Sequence, residues 1–319
     1  MNLDSLTRGP LAQIEALMLA EMKSEVPLAE LVMHYTIDNG GKRFRPLLTI
    51  LSGGLCGTPA EATVLAGAFI EFIHSATLLH DDVVDESPLR RGQPAAQVAF
   101  GNAASVLVGD FLYTRAFQLM VRSGHFGVIE TMANAVNLIA AGEVMQLSNR
   151  HDPDVDEERY FRVIELKTAV LFSVACKVAA QLAGQPPEGC EALYQYGRKL
   201  GLAFQIIDDL LDYTGAEAAI GKALGDDLAE GKPTLALIRA QQQLAEPERQ
   251  RLRQIIEHGD RSAFGEVLEL LRRTDALEHS RATAERLIDE AIAELERFPA
   301  SAYKEALAFI ARRAVQRDR

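Results

Sequence analysis

Histidine and cysteine are scarce in this chain of 319 residues, and basic residues are outnumbered. It has seven His, three Cys, and 33 Lys and Arg against 45 Asp and Glu. The cysteines Cys56, Cys176 and Cys190 are an odd number without metal-ligand spacing. That leaves no disulfide framework and no cysteine zinc site, only small buried residues or free thiols of a reducing cytosol. A net charge of −12 argues against nucleic acid as the main partner, because phosphate backbones are bound by positive charge. An anionic ligand must then be held by a local basic cluster or by metal. Residues 1–10 lack the basic-then-apolar pattern of a signal peptide. The apolar segments, such as 168–183 with Lys177 inside, read as too short and interrupted to span a bilayer. The expectation is a cytoplasmic protein with no stable membrane insertion.

Strand-like alternation is missing too, and nearly every segment has helical period. Helices are expected over 11–39 in two pieces, 46–56, 58–85, 94–121, 127–149, 157–183 and 188–214. Further helices follow over 232–243, 246–258, 262–273, 275–298 and 300–317. Thr58, Pro59 and Glu61 fit an N-cap, first helical position and capping box. No linker or low-complexity stretch divides the chain, so residues 1–319 read as a single all-α domain. A bundle of that size needs a fully apolar central helix or two.

What is there in duplicate is an acidic cluster. One copy is Asp81-Asp82-Val83-Val84-Asp85 and the other Asp208-Asp209-Leu210-Leu211-Asp212, each at the end of an apolar stretch. Residues i and i+4 share a helix face, so Asp81 stacks with Asp85 and Asp208 with Asp212. Like charges at that spacing weaken a helix unless cations neutralise them. A single DDxxD is a weak signal, since acidic helix ends are common and usually only solvated. Two copies after apolar faces carry more. Aspartates alone favour a hard ion, Mg2+ before zinc, completed by water and phosphates. Two such sites facing each other would make a cage for a diphosphate.

Basic groups lie close by. Arg90 and Arg91 follow the first acidic motif, and Gly40-Gly41-Lys42-Arg43-Phe44-Arg45-Pro46 concentrates cations at a helix start. Lys167 and Thr168 sit inside an apolar helix, where lysine either snorkels or meets a ligand. The glycine-rich loop with Lys222 and Lys232 reads as a lid over phosphate or as an ordinary surface loop. His74 lies seven residues before Asp81 on the same face, beside Ile70, Ile73 and Thr77. Histidine on an apolar helix is more often a satisfied core residue; alignment with Asp81 favours binding. Glu71 to His74 also fits half of a di-iron site, but no second copy exists.

Together these pieces closely resemble the trans-isoprenyl diphosphate synthases, in their long-chain polyprenyl branch. The motifs run in order from Gly40 to Thr234: GGKRFRP, LLHDDVVDESPLRRG, GDFLYTRAF, Gly142-Glu143 followed by Gln146, ELKTAVLF, FQIIDDLLD and GK…GKPT. The resemblance implies an all-α bundle around a deep central cavity. It implies Mg2+-dependent coupling of isopentenyl diphosphate to an allylic diphosphate such as farnesyl diphosphate, with three ions when substrate is bound. Asp81 and Asp85 would hold two ions and Asp208 the third, with Asp82 and Asp212 completing the metal motifs. Arg90, Lys167, Lys222 and Lys232 would grip the allylic diphosphate, and Lys42, Arg45, His74 and Arg91 the isopentenyl one. Thr168 and Gln205 would steady the allylic cation. A homodimer is expected from the family.

In that family, residues just upstream of the first acidic motif set the tunnel floor. Here Ala76 and Thr77 are small, which implies a tunnel closed deeper, by Ile73, Phe69 or Met120. Helix angles favour Thr77 and Ile73 over Ala76 as lining. The expected product has about eight isoprene units and is destined for a quinone side chain; a shorter-chain synthase is the alternative. A terpene cyclase would lack the second DDxxD and the basic motif. A His-Asp phosphohydrolase using His80-Asp81 and His34 would need a matched histidine set that is not there. A regulatory subunit of a heteromeric synthase would lose one acidic motif. The C-terminal Arg317-Asp318-Arg319 is a solvated end or a cationic tail reaching the site.

Overall fold

A computed structural model describes residues 3–38, 41, 43–215 and 224–316. Lys42, Lys222 and the Arg317-Asp318-Arg319 tail, all singled out above, lie outside the described residues. The described chain is overwhelmingly helical, as its three-and-four apolar spacing dictates. It condenses into two compact units, each assembled from three stretches of chain. The first comprises Met1–Val136, Leu171–Gly197 and Ile292–Ile310, and the second Asn137–Val170, Arg198–Ala291 and Ala311–Arg319.

The first unit opens with α1 (Leu3–Glu21), α2 (Pro27–Asp38), α3 (Phe44–Cys56) and α4 (Ala60–Val84). A two-residue hairpin, β1 (Leu89–Arg90) with β2 (Gln93–Pro94), leads into α5 (Ala96–Phe100) and α6 (Asn102–Arg122). The spine of this unit is α4, packed along α6 and against α1 and α3. Phe69, Ile70, Phe72, Ile73, Ala76 and Leu79 of α4 are all fully buried. Each large apolar side chain contributes roughly 1.5–3 kcal/mol on burial, so the turn carrying the first acidic motif ends a firmly held rod. The sequence reading overlooked that α4 is long and apolar enough to cross a membrane by length and composition. Its apolar side chains are mostly packed against protein, as in a core helix.

Local signals were overridden at two places. Thr58 does not cap α4: its Oγ1 donates to the Ala179 carbonyl at 2.8 Å, and Pro59 precedes the helix without a side-chain cap. A tertiary acceptor has won over the local one. The single helix expected over 94–121 begins later and splits at Gly101, whose φ of 86° and ψ of 154° suit only glycine. The short hairpin before it is too brief to announce itself by alternation.

Next in the chain come α7 (Phe126–Asn149), α8 (Glu157–Ile164), a π-helical turn (Glu165–Ala169), α9 (Val170–Leu182) and α10 (Pro187–Thr214). They are followed by α11 (Asp226–Ala229), α12 (Leu235–Gln243), α13 (Glu246–His258), α14 (Phe264–Arg273), α15 (Ala276–Glu294) and α16 (Ala302–Val315). In the second unit Arg239 ties three of these together. It donates to both Glu157 carboxylate oxygens at 3.1 and 2.9 Å, and to the His279 carbonyl and Thr283 hydroxyl. The three cysteines, all in the first unit, are free thiols; burial pushes Cys56 and Cys176 up to about 12.

Within the first unit α10 meets α9 at Gly197. A Cβ there would lie 2.4 Å from the Phe172 carbonyl oxygen and 2.7 Å from Ser173 Cα. Backbone cannot move aside as a flexible side chain can. Gly197→Ala is therefore expected to destabilise the protein by about 1–3 kcal/mol in urea unfolding. Unchanged stability would show that the two helices part freely.

Candidate active site

In the first unit the glycine-basic motif turns sharply before α3. Arg43 takes a left-handed conformation, φ 45° and ψ 40°, at the N-cap. Its guanidinium donates to Glu71 Oε1 at 3.1 Å and to the Ile37 carbonyl at 2.8 Å. Glu71 is a carboxylate on the buried face of α4, and Arg43 is its counterion. Arg45 lies over the Phe172 ring at 4.7 Å. Arg91, itself at φ 52°, reaches Gly41, where a Cβ would stand 3.0 Å from its Nη2.

These cations converge on His74. Burial, and then Arg45, Arg91, Arg90 and Arg43 in that order, hold its pKa well below the usual imidazole value. Arg91 is itself pulled down, first by burial and then by Arg90. Arg43 and Arg90 are answered by Glu71 and Asp82, and a multiply charged anion suits the remaining positive charge at this turn. The structure thus brings together Arg45, His74 and Arg91 as expected, and adds Arg43. The signal for Arg43 was Glu71: an acid inside an apolar run needs a nearby cation.

The first acidic motif ends α4. Asp85 closes the helix with its N–H on the Asp81 carbonyl at 2.8 Å, so the i, i+4 pairing expected for these two holds. Both are half-buried, whereas Asp82 is buried. Arg90 Nε donates to Asp82 Oδ1 at 2.9 Å, and Nη2 bonds the same oxygen. The sequence reading grouped Asp82 with the metal ligands and Arg90 with the diphosphate grip. In the structure they hold each other, because one helical step turns Asp82 by about 100° away from Asp81.

In the second unit Lys167 and Thr168 lie on the π-helical turn. Such single turns are frequent at functional sites. Lys167 Nζ donates to Glu143 Oε2 at 2.5 Å. Thr168 Oγ1 donates to Gln205 Oε1 at 2.8 Å, and Gln205 Nε2 to Asp209 Oδ1 at 2.8 Å. Behind them Tyr160 donates to Asp209 Oδ2 at 2.6 Å. Sequence reasoning missed Tyr160, and nothing in its local pattern marks it.

The second acidic motif divides like the first. Asp208 is exposed, while Asp209 and Asp212 are buried. The Asp212 carboxylate accepts from the Asp226 and Asp227 amides at 3.2 and 3.1 Å, capping α11. Placed with the metal ligands by spacing, it instead fixes the following loop. Burial and then the Asp227 charge push both Asp209 and Asp212 upward, against the hydrogen bonds each accepts. Lys232 contacts Asp227 at 3.5 Å and also Glu230.

This donor set fits Mg2+. It consists of carboxylate oxygens, and among the described residues no three His, Cys, Asp or Glu converge on one point. Mg2+ needs only one or two carboxylates when water and phosphate complete its shell. The histidines of a phosphohydrolase are engaged elsewhere: His34 with Asp38 at 3.0 Å, and His80 with the Val106 carbonyl at 3.0 Å. Of the tunnel residues, Ile73, Ala76 and Met120 are fully buried. Thr77 is half-buried, with its hydroxyl on the His74 carbonyl at 2.7 Å.

An all-α chain with paired aspartate motifs and a guanidinium-lined anion site belongs to the class of diphosphate-handling transferases. The chain belongs to the polyprenyl synthetase family, whose profile matches residues 26–272. The match reaches past Thr234, where the motifs end. The chain is 49% identical to octaprenyl diphosphate synthase of Escherichia coli (strain K12), over 100% of both chains. It is 44% identical to octaprenyl diphosphate synthase of Haemophilus influenzae, over 99% of this chain and 97% of that one. The crystal structure of a polyprenyl synthase from Caulobacter crescentus CB15, complexed with calcium and isoprenyl diphosphate, is similar. Its TM-score is 0.95 at 41% identity, covering 99% of this chain and 97% of that chain. A decaprenyl diphosphate synthase from Rhodobacter capsulatus gives 0.94 at 42%, covering 99% and 98%. The expected all-α fold and trans-prenyltransferase class are both met.

His74 sets a pH dependence. Its folded pKa lies below the ordinary 6.5, so as pH falls below that value the unfolded chain takes up a proton the folded one refuses. Its contribution to stability is complete above the unfolded pKa and declines as pH falls toward the folded one. Melting temperatures between about pH 7 and about pH 5 should fall less steeply for His74→Gln than for the wild type. Equal slopes would contradict the assignment.

Proposed function

We propose that this enzyme lengthens an allylic diphosphate, farnesyl diphosphate by preference, with successive isopentenyl diphosphate units to a long all-trans chain. The observation that carries this is the turn at Gly41, where the Arg91 and Arg43 guanidiniums come together, a ready holder for a diphosphate. Chain length follows the relatives named octaprenyl diphosphate synthase, giving about eight units for a quinone side chain. The cytoplasmic location and the single-domain reading of residues 1–319 are parts of the same proposal; full-length coverage of the relatives supports the second.

Asp81, Asp85 and Asp208, the aspartates of the two motifs left toward solvent, would hold Mg2+, three ions with substrate bound. Bound there, Mg2+ supplies charge neutralisation for a departing diphosphate. Arg43, Arg45, His74 and Arg91 bind and orient the isopentenyl diphosphate, its anion replacing mutual repulsion with charge-assisted hydrogen bonds. Lys167 and Lys232, each now on a carboxylate, turn to the allylic diphosphate. Thr168 and Gln205 present oxygen atoms to the developing cation. The buried apolar face of α4, with Ile73 and Ala76, keeps water from the growing chain.

A homodimer is part of the proposal. Along α6, Leu107 at 67% exposure and Val121 at 64% flank Phe117, and Phe126 at 78% continues the face. Large exposed apolar side chains along one helix suit an association surface, and a second copy is the partner the family offers. Leu107→Asp should shift the protein toward monomer in sedimentation velocity; an unchanged dimer would place the interface elsewhere.

The direct test is incubation with Mg2+, farnesyl diphosphate and labelled isopentenyl diphosphate, with products sized by mass spectrometry. A long species near the octaprenyl length is expected, and Ala76→Phe and Thr77→Phe should shorten it. Unchanged products from both variants would sink the tunnel reading. No condensation with any allylic primer would sink the function.

A further inference from the structure

We propose that Asp209, backed by Tyr160, is a positioning residue that locks the Gln205 amide with its carbonyl oxygen toward Thr168. This role rests on the prenyl-coupling function proposed above. It separates Asp209 from its neighbour Asp208, assigned above to metal.

The argument starts from the π-helical turn. Eight residues of regular α-helix, Tyr160 to Thr168, rotate through about 800°, leaving the two side chains about 80° apart. The π-turn Glu165–Ala169 accommodates one extra residue and reduces that offset to about 20°. Tyr160 and Thr168 then face the same side, two turns apart. On α10, Gln205 and Asp209 are an i, i+4 pair sharing a face. The two pairs meet side by side, Thr168 on Gln205 and Tyr160 on Asp209, at 2.8 and 2.6 Å. Without the π-turn the two side chains would splay by about 80°. Gly142 makes room for it: a Cβ there would lie 2.7 Å from the Lys167 amide nitrogen.

The bonds have a direction. A primary amide offers an oxygen at one end and two N–H donors at the other, and it can rotate between them. Asp209 takes the N–H end of Gln205 on Oδ1, while its other oxygen is held by the Tyr160 hydroxyl. Buried Tyr160 keeps its phenol proton, since burial and then Asp209 both push its pKa upward, and so it donates. With its N–H end held by Asp209, the amide places Gln205 Oε1 beside Thr168 Oγ1 at 2.8 Å. Two neutral oxygens then face an electron-deficient carbon. A flipped amide would present N–H there instead, the wrong end of the dipole for positive charge.

The test compares full-length wild type, Tyr160→Phe, Asp209→Asn, Gln205→Met and the Asp209→Asn/Gln205→Met double variant. Rates are measured with farnesyl diphosphate, isopentenyl diphosphate and varied Mg2+. Asp209→Asn frees the amide to rotate and should lower kcat about 10- to 100-fold, as loss of an orienting partner does elsewhere. KM for both substrates, and the Mg2+ concentration giving half the maximal rate, should stay within about twofold of wild type. Tyr160→Phe keeps its ring in the core and should show a smaller loss of the same kind. The double variant should be no slower than Gln205→Met alone, because Asp209 acts only through Gln205. A shifted Mg2+ dependence, or losses that multiply in the double variant, would overturn the role. If Asp209→Asn fails to fold, an unaltered kcat in Tyr160→Phe would do so alone. An inactive wild type would remove the enzyme function itself, and this role with it.

Discussion

A carboxylate set against a buried apolar helix is costly unless something inside the protein answers it. That constraint organises both acidic motifs and the basic turn. Glu71 is answered by Arg43, Asp82 by Arg90, Asp209 by Tyr160 and Gln205, and Asp212 by two backbone amides. Each pairing fixes a loop or a side chain the chemistry uses. Arg43 closes the turn before α3, Arg90 anchors the segment after Asp85, and Asp212 holds the start of α11. Asp81, Asp85 and Asp208 are the more exposed aspartates of the two motifs.

Backbone irregularities do the remaining placement. Arg43, Glu86 and Arg91 all sit at positive φ, and the last two bracket the turn that returns Arg90 to Asp82. Non-glycine residues adopt such angles when surrounding contacts over-determine them, which happens most often at functional sites. The π-turn in the second unit belongs to the same group. It interrupts an otherwise regular helix where Lys167 and Thr168 must both point usefully. These features share a logic: regular helix sets the coarse direction, and one local departure corrects the angle.

Much of this was legible in the residues. Helical period, paired DDxxD motifs and the basic glycine turn were enough to reach the fold class and the family. The errors were those of local rules. Thr58 fitted a capping box but bonds Ala179, 121 residues away. Counting apolar residues for membrane length missed α4, because composition does not distinguish a core helix from a spanning one. Spacing gave no sign that Asp82 would face Arg90 rather than solvent, although neighbours on a helix face different surroundings.

The sequence by itself determined that this chain is helical and that it carries acidic and basic motifs in the order of a polyprenyl synthetase. Periodicity and motif order are properties of neighbours along the chain, so they survive without a structure. Only the tertiary structure decided which aspartates are spoken for, that Arg43 serves Glu71, and that Tyr160 stands behind Asp209. Those assignments depend on burial and on partners as far as 49 residues apart. A carboxylate's role is set by what lies across from it after packing, and spacing along one helix carries no record of that.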